Sequence, residues 1–104
     1  MIKVSVMYPY IEGATFDLDY YVGKHMPTLR QKLGSACKRY EVEQGLAGGA
    51  PGSQPIYTAS AHLLFESLKA FQAAFAPHAA ALMADVPNYT NIEPVIQISE
   101  IKPF

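Results

Sequence analysis

Two hydrophobic periods take turns along this chain, and their order leaves few folds open. From Ile2 to Tyr8 apolar residues alternate: Ile2, Val4, Val6 and Tyr8 point one way and Lys3, Ser5 and Met7 the other, the repeat of a strand. Pro9 and Gly13 close it. Leu18, Val22, Met26, Leu29 and Leu33 follow at helical spacing, with Asp17 and Asp19 in the first turn and Gly34 as the stop. Residues 38–46 read as a second strand and residues 56–65 as a third, with Tyr57, Ala59, Ala61, Leu63 and Phe65 on one face. Gly45 to Pro55 is the breaker-rich loop of a hairpin between them. Ser67 is the expected N-cap of a second helix carrying Leu68, Phe71, Phe75, Leu82 and Val86, and residues 94–102 supply a last strand through Val95, Ile96, Ile98 and Ile101.

The order β-α-β-β-α-β predicts an α+β, ferredoxin-like domain over residues 1–104, with a four-stranded antiparallel sheet and both helices on one face. The other face has no cover within the chain. The third and last strands read as too apolar to leave it wet, so a second sheet is expected there, and a homodimer supplies one. Half of the residues are apolar, more than a domain of 104 residues readily hides alone, which also favours an oligomer.

Charge and composition remove several classes. Net charge is −1 and the longest basic run is Lys38-Arg39, too little to grip a phosphate backbone, so no nucleic acid partner is expected. Cys37 stands alone, which excludes an internal disulfide and a CxxC zinc site. The apolar runs are far too short to cross a membrane. The strand pattern at the start leaves no room for a signal peptide, and a cytoplasmic location is expected.

Chemistry concentrates around His25. It follows Val22 by three positions and precedes Leu29 by four, on or beside the buried stripe, and Pro27 is expected to break or kink the helix there. An imidazole so held can take or donate a proton near neutral pH. The competing reading is a core histidine with both nitrogens satisfied, one by a carbonyl freed near the break. His78, beside Pro77, stands at a similar place in the second half: it either faces the pocket or lies at the helix edge in solvent. A histidine there facing the sheet also suits haem iron, the minor alternative to a site with no cofactor. His62 shares the parity of Thr58 and Ser60, a polar row suited to a hydrogen-bonded interface, with no metal-binding partner at i±2. Tyr8, Phe16, Tyr20, Tyr21, Phe71 and Phe75 can reach the space between sheet and helices. Either they fill it as core, or they line an apolar pocket in which Tyr21 and Tyr8 are the better candidates, since a buried phenol needs a partner. Asp17 and Asp19 are read as helix-start residues and Asp85 as a helix-end residue, with no catalytic carboxylate pair.

Phe16-Asp17-Leu18-Asp19-Tyr20-Tyr21, then Lys24-His25-Met26-Pro27, Phe71, Phe75 and the closing Asp85-Val86-Pro87-Asn88-Tyr89-Thr90 resemble the EthD family over nearly the whole chain. The resemblance implies a ferredoxin-like protomer and a homodimer whose two sheets form a dimeric α+β barrel. Founding members are linked to ethyl tert-butyl ether degradation as accessories to an oxygenase system, and fungal relatives look like dehydratases or cyclases of aromatic polyketides. Other families of the superfamily are cofactor-free monooxygenases or haem degraders. His25 matches the family's helix-break histidine. The implied protein binds a small hydrophobic or aromatic molecule, with His25 as acid/base, Tyr21 or Tyr8 orienting it, and Phe71, Phe75 and His78 lining the pocket. A non-catalytic accessory of an oxygenase pathway is the alternative.

Overall fold

The computed structural model describes residues 1–104. Four strands, β1 (Ile2–Pro9), β2 (Arg39–Gln44), β3 (Tyr57–Phe65) and β4 (Val95–Glu100), form one antiparallel sheet in the order β2-β3-β1-β4. The expected ferredoxin-like α+β fold is present. Its ends differ slightly from the sequence reading: β2 and β4 are both shorter than the patterns that announced them.

The helices start where short polar side chains satisfy free N–H groups. Asp17 Oδ1 accepts from the Tyr20 N–H at 3.0 Å, and Ser67 Oγ accepts from the Ala70 N–H at 3.0 Å. The first helix then runs through residues 18–33 without the expected break. Its middle turn, Tyr21–His25, is π-helical, with the Met26 N–H bonding the Tyr21 carbonyl five residues back. Pro27 follows at once and has no N–H with which to extend that wider ladder, so an α-helix resumes over Met26–Leu33. Gly34, at φ 59°, ends it.

The wide turn corrects the predicted stripe. Because a π turn holds more than 3.6 residues, Tyr21 and His25 share the inward face while Val22, expected there, is 46% exposed. Met26, Leu29 and Leu33 complete the buried row. The second helix is interrupted differently. Leu68–Phe75 passes into a 3-10 turn, Ala76–His78, containing Pro77, before Ala79–Asp85 resumes.

Register places Val4 opposite Leu63 and Ile98, and Tyr8 opposite Ala59. Val4, Tyr8, Ala59, Ala61, Leu63 and Phe65 are buried against the helices together with Tyr21, Met26, Leu29, Leu33, Leu82, Tyr89 and Ile92. At roughly 1.5–3 kcal/mol per buried large apolar side chain, this layer dominates what holds helices to sheet. The open sheet face is less apolar than expected. The apolar row of β3 faces the helices, and the open face mixes Ser5, Ser60, His62, Glu41, Glu43, Gln97 and Ser99 with Met7, Leu64 and Val95.

Loop Gly45–Pro55 approaches the end of β3 closely. A Cβ on Gly45 would collide with the Tyr57 carbonyl oxygen, so only glycine fits there.

Candidate functional site

Where the first helix crosses β1 and meets the end of the second helix, Phe16 bridges to Thr90 and ties the two chain segments together. Thr90 Oγ1 donates to the Thr15 carbonyl at 2.7 Å, and the Asp17 N–H donates to the Tyr89 carbonyl at 2.7 Å. These bonds seat Tyr89 against the π turn.

The π turn presents Tyr21 and His25 side by side, their rings stacked at 5.4 Å with planes 12° apart. Tyr89 lies 4.8 Å from the His25 ring and 5.0 Å from that of Tyr21. Tyr8 and Phe16 complete the cluster in edge-to-face contacts of 5.0–5.6 Å with each other and with Tyr21. The Tyr8 and Tyr89 hydroxyls are 2.5 Å apart, a bond that pairs two buried phenols.

Asp85 is the hub of the polar half. It accepts from His25 Nδ1 at 2.9 Å, from the Tyr20 hydroxyl at 2.7 Å and from Asn88 Nδ2 at 2.9 Å. Burial resists its ionisation, but the hydrogen bonds from Tyr20, Asn88 and His25, with the charge of His25, outweigh that and hold its carboxyl down to about 2. It is therefore a carboxylate at any ordinary pH. A carboxylate only accepts, so His25 Nδ1 carries a proton and Nε2 is left as the nitrogen that can exchange one. Nε2 has no partner within the chain, and no fully occluded polar side-chain atom is left unpaired, so it keeps an opening to the surface. The histidine side chain as a whole is 7% exposed.

The surrounding phenols stay neutral. Burial raises Tyr8, Tyr21 and Tyr89, and the hydrogen bond to Asp85, ahead of burial, raises Tyr20. The arrangement is a carboxylate–imidazole pair in a wall of neutral aromatic hydroxyls, suited to moving one proton at Nε2.

The sequence candidates separate in space. His25, Tyr21 and Tyr8 come together. Phe71 and Phe75 stack on each other at 5.3 Å, with Phe71 against Phe65, as a second aromatic group. His78 is half-buried on the 3-10 turn and makes no hydrogen bond through its side chain, so the two histidines are not equivalent. His62 joins a separate network on the open sheet face, to Ser5 at 2.8 Å and to Glu43 at 3.0 Å, with Ser60 also bonded to Glu43. Hydrogen bonds from Ser60 and then His62 lower the Glu43 carboxyl. No three His, Cys, Asp or Glu side chains gather as a metal site.

Asp85, read from the sequence as a helix-end residue, was not paired there with His25, and Tyr20, Asn88 and Tyr89 were given no polar role. The signal for Asp85 was its place three residues after Leu82 and one before Val86, an acidic residue at the edge of an apolar stripe.

Two surface clefts approach the site. One, of about 620 Å³, lies between the helices and is lined by Tyr20, Lys24, Thr28, Lys32, Leu82 and Asp85 among others. A second, of about 390 Å³, runs along Phe16, Asn88 and Tyr89. Neither is lined by His25, Tyr8, Tyr21, Phe71, Phe75 or His78.

The EthD domain model matches residues 13–93. An EthD-like protein from Ralstonia eutropha JMP134 is 52% identical, with 95% of this chain and 89% of that one covered and a TM-score of 0.91. An EthD family protein from Bacillus halodurans C-125 is 16% identical over 98% of this chain and 99% of its own, with a TM-score of 0.68. A dimeric ferredoxin-like protein of unknown function from Thermobifida fusca YX shares the fold at 17% identity and a TM-score of 0.58, over 96% of this chain and 90% of its own. No curated protein matches.

Proposed function

The chain belongs to the EthD domain family, and from that premise we propose that it binds a small hydrophobic or aromatic molecule and moves a proton on it through His25. The observation that carries this reading is the His25–Asp85 pair, bonded through Nδ1 with Nε2 unpartnered. Nε2 takes a proton from an acidic O–H, or from a C–H beside a carbonyl, and returns it to a neighbouring atom. Asp85 holds the ring's orientation and stabilises the imidazolium while it lasts. Tyr21 packs flat on the imidazole and keeps it from turning. Loss of water, isomerisation or ring closure of an oxygenated aromatic are the reactions such a residue serves, with no cofactor required for the proton step.

The domain, residues 1–104, works as a homodimer in this reading. The dimeric ferredoxin-like relative supports it, as does an open sheet face on which Ser5 and Ser60 are already buried. No helix is long and apolar enough to cross a membrane, which accords with a cytoplasmic site of action.

One observation favours the second reading, a non-catalytic accessory of an oxygenase pathway. Tyr8 and Tyr21 are each 1% exposed and packed by neighbouring rings, so the space beneath the helices is filled rather than hollow.

Native mass spectrometry of the purified protein, followed by ¹H NMR of a panel of enolisable aromatic ketones in D₂O, separates the two. A dimer that catalyses deuterium exchange, with exchange lost in His25→Ala, supports the enzyme. Exchange that survives His25→Ala removes the acid/base assignment. Bound ligand without exchange in either protein favours the accessory role.

A further inference from the structure

The cleft between the helices carries a cationic stripe that the proton-transfer reading does not use. Lys24, Thr28 and Lys32 recur at intervals of four along the first helix, about 6 Å per step, and all three line that cleft. Neither lysine is ion-paired, a state they share with Lys3, Arg30 and Lys69; what sets these two apart is that both line the same cleft. The Lys24 ammonium lies 5.5 Å from the Tyr20 ring centroid, and Tyr20 in turn bonds Asp85. Asp85 is the carboxylate lining this cleft, and three donors already hold it. The lining therefore carries two lysines against one carboxylate, a net positive charge, with a threonine hydroxyl between the lysines.

The rest of the lining is flat and apolar: the Tyr20 ring, Pro27, Ala81 and Leu82. A volume of about 620 Å³ falls within the range of small-molecule sites. We propose that this cleft binds a small aromatic carboxylate, its anionic group over Thr28 between Lys24 and Lys32 and its ring against Tyr20 and Leu82. Lys24 and Lys32 both line the cleft and supply the positive charge, and the Thr28 hydroxyl and Gln31 amide supply neutral donors. The ring edge then points along the cleft toward Tyr20 and Asp85, which connect to His25. This assignment rests on the reading of the His25–Asp85 pair as the working centre: the cleft meets that pair through Asp85, on the Nδ1 side, and the assignment names the class of molecule held beside it.

The probe pair is benzoate and benzamide, equal in shape and different in charge, titrated into the full-length ¹⁵N-labelled protein. Benzoate is expected to shift the amides of Thr28, Gln31, Ala81 and Leu82. Benzamide is expected to bind about tenfold more weakly, and Lys24→Met and Lys32→Met each to weaken benzoate by about tenfold, the loss of one charge-assisted contact. Raising the salt concentration should weaken benzoate and leave benzamide unchanged. Equal affinity for the two probes, shifts mapping elsewhere, or undiminished affinity in both lysine variants would overturn the proposal. His25→Ala separates this test from the wider reading, because it removes proton transfer and leaves benzoate binding intact. Benzoate recognition without His25-dependent chemistry would retain the cleft and discard the acid/base role; the converse would discard the cleft alone.

Discussion

Replacing Asp85 by Asn tests the centre of the site through stability rather than activity. The side chain keeps its shape and an acceptor oxygen for Tyr20, but loses the charge that His25 and the other donors favour. A carboxyl held at about 2 instead of its ordinary 3.8 corresponds to roughly 2.4 kcal/mol of preference for the folded state at 1.36 kcal/mol per pH unit. Asp85 is 26% exposed, so solvent screening reduces the figure to about 1–2 kcal/mol. Its folded-state value lies below its unfolded one, so the unfolded chain binds more protons in between. The contribution is complete above about pH 5, and it fades as pH falls through 3.8 toward 2. Urea denaturation of both proteins at one fixed concentration, at pH 7 and again at pH 3, should give a gap of about 1–2 kcal/mol that roughly halves in acid. A gap below a few tenths of a kcal/mol at pH 7, or one that does not shrink at pH 3, would show that the hydrogen bonds to Asp85 do not favour its ionised form.

Two further outcomes follow from packing. Tyr8→Phe or Tyr89→Phe alone strands a buried hydroxyl and should cost about 1–3 kcal/mol, whereas the double variant should cost clearly less than the sum; additive losses would deny the pairing. Gly45→Ala drives a methyl into the Tyr57 carbonyl and should cost about 2–3 kcal/mol by thermal or urea unfolding, while Gly49→Ala, with open space around it, should change stability by less than about 0.5 kcal/mol; equal effects would refute the close approach.

Strand phase was legible because alternation is a local property: Val4 and Tyr8 point to the core as their parity requires. Which side of the sheet lay bare was not, since parity says that two rows differ without saying where the helices sit. Val22 was misplaced because a constant period of 3.6 was carried through a turn that does not keep it. Pro27 announced an irregularity, and nothing local distinguishes a break from a widening. His25 was visible as a polar residue in an apolar stripe. Its partner was hidden by distance, since Asp85 lies 60 residues further on and reaches His25 only once the second helix has docked.

The π turn also sets a tolerance to length. On a regular helix each residue turns the side chains by about 100°, so removing one would swing everything downstream out of phase. Here the surplus residue is already stored between Tyr21 and His25. A chain shortened by one within that turn can tighten to an ordinary helix and still bring Met26, Leu29 and Leu33 to the sheet. The fold would survive such a deletion, and what it would lose is the flush stacking of Tyr21 on His25. In this stretch of chain, the requirements of the core and those of the site are set by different residues.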